Sequence, residues 1–152
     1  MNSDLIELLS LLNEFKVKYL VIGGQAVILY SEPRYTKDLD IWVEATKTNA
    51  KKLVKVLKDF GAPSNSISED DFSKPGTIFI FGIEPNRVDI LTKVKGATFA
   101  PCYKNKTVVK VDGVKICFVS IEDLIKIKKA TNRSQDRLDL VNLKIGLKAK
   151  KQ

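Results

Sequence analysis

The sequence predicts one α/β (α+β) domain, a mixed central sheet flanked by helices, and three observations lead there. An apolar run of strand length, Tyr19 to Ile22, ends at Gly23-Gly24 and passes directly into a helical stretch. Two pairs of short runs rich in β-branched and aromatic residues, 77–81 with 87–91 and 106–111 with 114–119, stand at hairpin spacing. Before, between and after them, apolar residues recur at helical intervals. At 152 residues the chain is long enough for one core and too short for two ordinary domains, so 1–147 is expected to fold as a unit with a basic tail over 148–152.

In chain order, the first helix carries Leu5, Leu8, Leu9, Leu12 and Phe15 on one face, with Asp4 and Glu7 as a capping box. After the glycines, Gln25 to Tyr30 reads as a helix. A strand beginning near Lys37 then sets Leu39, Ile41 and Val43 on one face and Asp38, Asp40 and Trp42 on the other. Trp42 is expected in the core. A helix from about Thr48 to Phe60 aligns Ala50, Leu53, Leu57 and Phe60 away from its lysines and stops at Gly61. Residues 62–76 read as a loop with one helical turn, and 94–105 as a loop.

Within the first strand pair, Arg87, Asp89 and Leu91 share a face. Asp112-Gly113 is a type I′ turn signal closing the second pair. Ser120 caps the next helix, with Asp123 at the reciprocal position of the box. Projected at about 100 degrees per residue, Ile121, Leu124 and Ile125 form its buried face with Lys128 near the middle, while Lys126 and Lys129 point to solvent. The last helix, 134–147, shows two apolar stripes: Leu138, Val141 and Ile145 on one side, Leu140, Leu143 and Leu147 on another. The second stripe is expected to be buried, at a homodimer contact.

Composition narrows the chemistry. The chain contains no histidine, which removes imidazole acid/base chemistry and makes zinc improbable; Cys102 and Cys117 are not spaced as a metal pair and read as reduced thiols. The formal net charge is +8, and from Lys126 to Gln152 nine basic residues face two acids, which would attract an anionic substrate such as a nucleotide or RNA. With no signal-peptide pattern and no long apolar run, a cytoplasmic protein without a membrane partner is expected.

Three features carry chemistry. Gly23 and Gly24 let a ligand approach closely while the helix start aims unpaired N–H groups at it, a phosphate-binding geometry. Asp38 and Asp40, about 7 Å apart along one strand face, stay charged together in a cleft only at high cost unless a cation lies between them. Magnesium suits the pair, because it takes oxygen ligands from one or two carboxylates plus substrate phosphates. Lys128, centred on an apolar face, either snorkels to the edge or is held inward by an anion; the inward reading is favoured, with the carboxylates or a triphosphate as partner. Asp89, alone among apolar neighbours, pairs with Arg87, sits on a solvated face, or serves a site.

The order Gly-Gly-x-Ala (Gly23 to Ala26), then Arg-x-Thr-x-Asp-x-Asp (Arg34 to Asp40), then a further Asp strand resembles the nucleotidyltransferase superfamily of DNA polymerase beta-like enzymes. The likeness is to its minimal nucleotidyltransferase branch, MNT-like or AbiEii-like, whose C-terminal Lys-x-x-x-x-Arg-x-x-Asp-x-x-Asp helix pair is similar to Lys128 through Asp139. The resemblance implies the nucleotidyltransferase fold and transfer of a nucleoside monophosphate from a nucleoside triphosphate to an acceptor hydroxyl on tRNA, protein or a small molecule. It implies two Mg2+ ions held by Asp38, Asp40 and Asp89, with Asp89 a candidate to take the acceptor proton. Gly23 and Gly24 would cradle the terminal phosphates, Arg34 or Lys128 would neutralise developing charge, and Thr36 would order the strand entry. Many members have serine where Gly24 stands. Two alternatives stay open: a toxin–antitoxin component of the same fold, and a non-catalytic nucleotide- or partner-binding module, against which the three intact aspartates argue.

Overall fold

The computed structural model describes residues 1–151. In chain order the elements are α1 (Ser3–Glu14), β1 (Tyr19–Ile22), α2 (Gly23–Tyr30), β2 (Asp38–Val43), α3 (Lys47–Phe60), α4 (Glu69–Phe72), β3 (Ile78–Phe81), β4 (Arg87–Leu91), α5 (Phe99–Lys104), β5 (Thr107–Val111), β6 (Val114–Phe118), α6 (Ile121–Thr131) and α7 (Ser134–Lys151). The strands form one mixed sheet in the order β3-β4-β2-β1-β6-β5. β2 runs parallel to β4, and β1 runs antiparallel to β2 and parallel to β6.

Strand alternation sorts the two faces. Leu39, Ile41 and Val43 are fully buried on one of them, and on the same side Phe79 and Phe81 of β3 meet Phe72 of α4 and Phe60 of α3 edge-on. The other face carries Asp38, Asp40 and Asp89 and is flanked by α2, whose first residue lies against Asp40, with α6 and α7 packed on α2. Trp42 shares the carboxylate face but is buried, with Phe99 of α5 at 5.3 Å edge-to-face, in the core as expected.

Three local readings are corrected, and the helical turn expected within residues 62–76 is present as α4. The cap of α1 is Asn2, whose side chain accepts from the Leu5 N–H at 3.1 Å, in place of the Asp4–Glu7 box. The stretch 94–105 contains α5, which Pro101 masks in the sequence although a proline is tolerated in a first turn. Residues 62–76 hold a 3-10 turn at Ser64–Ser66 as well as α4, which Ser68 caps. The last helix continues past Leu147 through Lys151, so most of the expected tail is helical; Gln152 lies outside the described residues.

The assembly expectation for α7 is also corrected. Leu143 is fully buried and Leu140 and Leu147 pack on the core of the same chain, so that stripe is internal and free for no second subunit. At Gly146 an added Cβ would lie 2.3 Å from the Tyr30 carbonyl oxygen, so the glycine is what lets α7 close on α2. Leu138, Val141 and Ile145 are the exposed stripe.

Candidate active site

The parallel register of β2 and β4 places Asp40 beside Asp89 and Asp38 beside Arg87. Each of Asp38, Asp40 and Asp89 thereby offers a carboxylate oxygen, and all three oxygens lie within 4.8 Å of one another. Arg87 grips Asp89 with two hydrogen bonds, Nε to Oδ1 at 2.9 Å and Nη2 to Oδ2 at 3.0 Å, and its Nε lies 4.0 Å from Asp38. The structural and functional readings of Asp89 thus hold together: it is paired with Arg87 and also belongs to the cluster.

Burial and mutual repulsion raise two of the three carboxyls. Burial, then the neighbouring Asp38 and Asp89, push Asp40 up to about 7, with Lys128 and Arg133 opposing. Burial and Asp89 also raise Asp38, against Arg87 and Arg34. Three close carboxylates, all oxygen donors with no nitrogen or sulfur ligand among them, fit a hard divalent cation such as magnesium.

The cluster lines a cavity of about 430 Å3 together with Gly23, Lys128 and Arg133, between β3–β4 and α6. Gly23 opens α2 at φ +69°, and a Cβ there would lie 2.1 Å from Asp40 Oδ2, so no other residue fits without moving that carboxylate. Gly24, Thr36 and Arg34 are brought together behind the cavity. A Cβ on Gly24 would lie 2.5 Å from Thr36 Oγ1 and 3.3 Å from Arg34 Nη2, so the Thr36 hydroxyl takes the space a serine would need. Thr36 itself donates to the Asp38 carbonyl at 3.2 Å and so orders the entry of β2.

Lys128 is buried as the helical projection requires, while Lys126 and Lys129 are exposed. Its direct partners, however, are Asp136 at 3.0 Å and Asp139 at 3.1 Å on α7, and not the aspartates of the sheet, which correct the expected pairing. Arg34 is likewise committed, with Nε 3.0 Å from Asp139 Oδ1 and Nη2 donating to Oδ2 at 3.1 Å. Arg133 pairs with Asp136 at 2.8 Å and is largely exposed at the cavity wall. Burial pushes Asp136 up, but hydrogen bonds from Arg133, Thr131 and Lys128 outweigh it and hold its carboxyl well below the usual range. Asp136 and Asp139, both fully buried, and Arg133 received no role from sequence reasoning. The Arg-x-x-Asp-x-x-Asp spacing that carried part of the family likeness was the available signal.

A mixed sheet with a glycine turn opening a helix beside three converging carboxylates is the arrangement of a nucleotidyltransferase. The chain belongs to the family described as Nucleotidyl transferase of unknown function (DUF2204), which it matches over residues 1–151. No curated protein gives a significant sequence match. Among solved structures, the chain is similar to the lincomycin-bound lincosamide antibiotic adenylyltransferase LnuA, with a TM-score of 0.58 and 18% identity over 95% of this chain and 96% of that one. It is similar to ANT(2″)-Ia in complex with adenylyl-2″-tobramycin, with a TM-score of 0.61 and 15% identity over 97% and 90% of the two chains. An antigenic nucleotidyltransferase-like protein from Paracoccidioides brasiliensis matches with a TM-score of 0.56 and 20% identity over 93% and 76%. At these identities the likeness is one of fold.

Proposed function

We propose that the chain transfers a nucleoside monophosphate from a nucleoside triphosphate to an acceptor hydroxyl, releasing pyrophosphate. The convergence of Asp38, Asp40 and Asp89 within 4.8 Å beside the glycine turn carries this reading. The three aspartates would hold the magnesium, two ions in the family pattern. When bound, the metal supplies neutralisation of triphosphate charge and acidification of the acceptor hydroxyl.

The protein's own groups supply the rest. Gly23 exposes backbone N–H groups at the start of α2, where an anionic phosphate is favoured. Arg133 and Lys128 stand at the cavity wall as cations, Arg133 exposed but bonded to Asp136 through Nε and Nη2, and Lys128 fixed in place by α7. Arg34 acts at one remove, by tying Asp139 to the entry of β2. Asp89, held by Arg87, is the candidate to accept the proton of the attacking hydroxyl, since Arg87 fixes the direction of its oxygens.

Two structural neighbours hold lincomycin and adenylyl-2″-tobramycin, which makes a small hydroxylated molecule one acceptor class for this chain. Here Lys93, Lys95, Arg87 and Arg133 line the cavity, which disfavours a polycation and favours an anionic acceptor such as tRNA.

The test is calorimetric. Magnesium with ATP is expected to raise the melting temperature of the wild type, because a ligand that binds only the folded state stabilises it by mass action. Asp38→Asn is expected to lose most of that rise. Equal magnesium-dependent ATP binding in both proteins would refute the metal assignment.

A further inference from the structure

The two edges of the sheet are built differently. β5 exposes Lys110 beside Val108, and a lysine on an edge strand discourages pairing with another chain. β3 reads Ile-Phe-Ile-Phe, without a charge or a proline. Its phenylalanines turn inward, which leaves Ile78 and Ile80 63% and 51% exposed on the face of the carboxylates, where both line the cavity. The backbone of β3 is open at the same two residues. The Thr92 N–H donates to the Thr77 carbonyl at 3.1 Å, and hydrogen-bonded pairs alternate in an antiparallel ladder. The bonds to β4 therefore fall at Thr77, Phe79 and Phe81, and the N–H and C=O groups of Ile78 and Ile80 face outward.

We propose that β3 pairs antiparallel with β3 of a second copy of this chain, about a two-fold axis perpendicular to the sheet. Two six-stranded sheets then become continuous, and the two clefts open side by side on one face. Register follows from the pleat. Directly opposite residues share a face, so the exposed isoleucines must meet isoleucines. Pairing Ile78 with the partner's Ile80 uses both outward residues of each strand. A shift of two residues either way draws in Gly76 or Gly82, whose φ values of +105° and +79° leave the strand path.

Charge selects a second copy as the occupant. The strand carries none, and its flanks are Lys74 at the entry and Glu84 at the exit, which an antiparallel pairing brings toward each other. The exposed stripe of α7 is less suited to self-pairing, because Arg137, Lys144 and Lys148 neighbour Leu138, Val141 and Ile145 and would bring two basic surfaces together. Because Ile78 and Ile80 already form part of the cleft wall, the second strand lengthens that wall, and an acceptor would rest on apolar surface from both copies.

Sedimentation of the full chain at micromolar concentration is expected to give twice its 17.0 kDa mass. Ile80→Lys adds a charge at an exposed position, and Ile78→Pro removes an outward N–H without touching the ladder to β4. Both variants are expected to sediment as monomers with wild-type far-ultraviolet circular dichroism. Amide exchange at Ile78 and Ile80 is expected to be slower by roughly tenfold or more in the wild type than at the same two amides in monomeric Phe79-retaining Ile80→Lys. A monomeric wild type would overturn the proposal, whether or not it captures some other polypeptide. A dimer that survives both β3 variants and is broken by Val141→Lys would overturn it too, by moving the interface to α7.

Discussion

Asp40 bears the heaviest electrostatic cost in the cleft, and its position explains why. It lies between Asp38 on its own strand and Asp89 on the neighbouring one, with Gly23 packed on its carboxylate. The folded, cation-free protein keeps this proton up to about pH 7, whereas the unfolded chain releases it near 3.8. The folded state therefore binds more protons across that window, and stability falls as pH rises through it. Cation-free Asp40→Asn is expected to exceed the wild type by ~2–4 kcal/mol above neutral pH, with the gap closing on acidification. Urea titrations across the window measure it; a gap independent of pH would mean that Asp40 is not protonated in the folded state. Magnesium with a triphosphate should reverse the order. Asp38 and Asp40 were legible from the sequence because strand alternation puts them on one face, but the height of the cost was not, since it depends on Asp89 and on what covers the site.

At the scale of elements, α7 decides more than its sequence suggests. Its first two turns place Asp136 and Asp139 in the interior, where they bind Lys128 of α6, Arg133, and Arg34 of the segment before β2. Removing one partner of a buried ion pair leaves the others desolvated and uncompensated. Asp139→Ala is expected to destabilise by about 3–5 kcal/mol, since it strands Arg34 and leaves Lys128 with Asp136 alone. Lys128→Met should cost clearly less, because Arg34 and Arg133 still neutralise the two carboxylates. Chemical denaturation of the two variants checks the order, and a larger loss for Lys128→Met would place the weight of the network on α6. The network was half legible: helical projection turned Lys128 inward, but a projection of one helix carries no information about which neighbour it meets. The same limit explains the stripe of Leu140, Leu143 and Leu147. Two stripes of similar apolar content leave periodicity indifferent, and the close approach at Gly146 settles which one packs.

At the scale of the molecule, one sheet and one contiguous apolar cluster join α1 to Leu143 of α7. Unfolding is expected to be a single cooperative transition. The lone tryptophan, Trp42, is buried on β2 at the centre of the sheet, so its fluorescence and the far-ultraviolet circular dichroism should share one midpoint. Separate midpoints would mean that α6 and α7 form a unit of their own.

The sequence by itself determined what short-range physics controls. The glycine turn, the strand faces, the cap at Ser120 and the Asp112-Gly113 turn all follow from backbone sterics and side-chain period, which act within a few residues. It also supplied the order of motifs by which the family was legible. The tertiary structure alone decided the partners: the parallel pairing that sets Asp40 beside Asp89, the carboxylates that hold Lys128 and Arg34, and the edge that β3 leaves open. Residues so far apart in the chain meet only when the sheet order is chosen, and that choice minimises exposed apolar area over the whole chain, a sum to which no single stretch of sequence holds the answer.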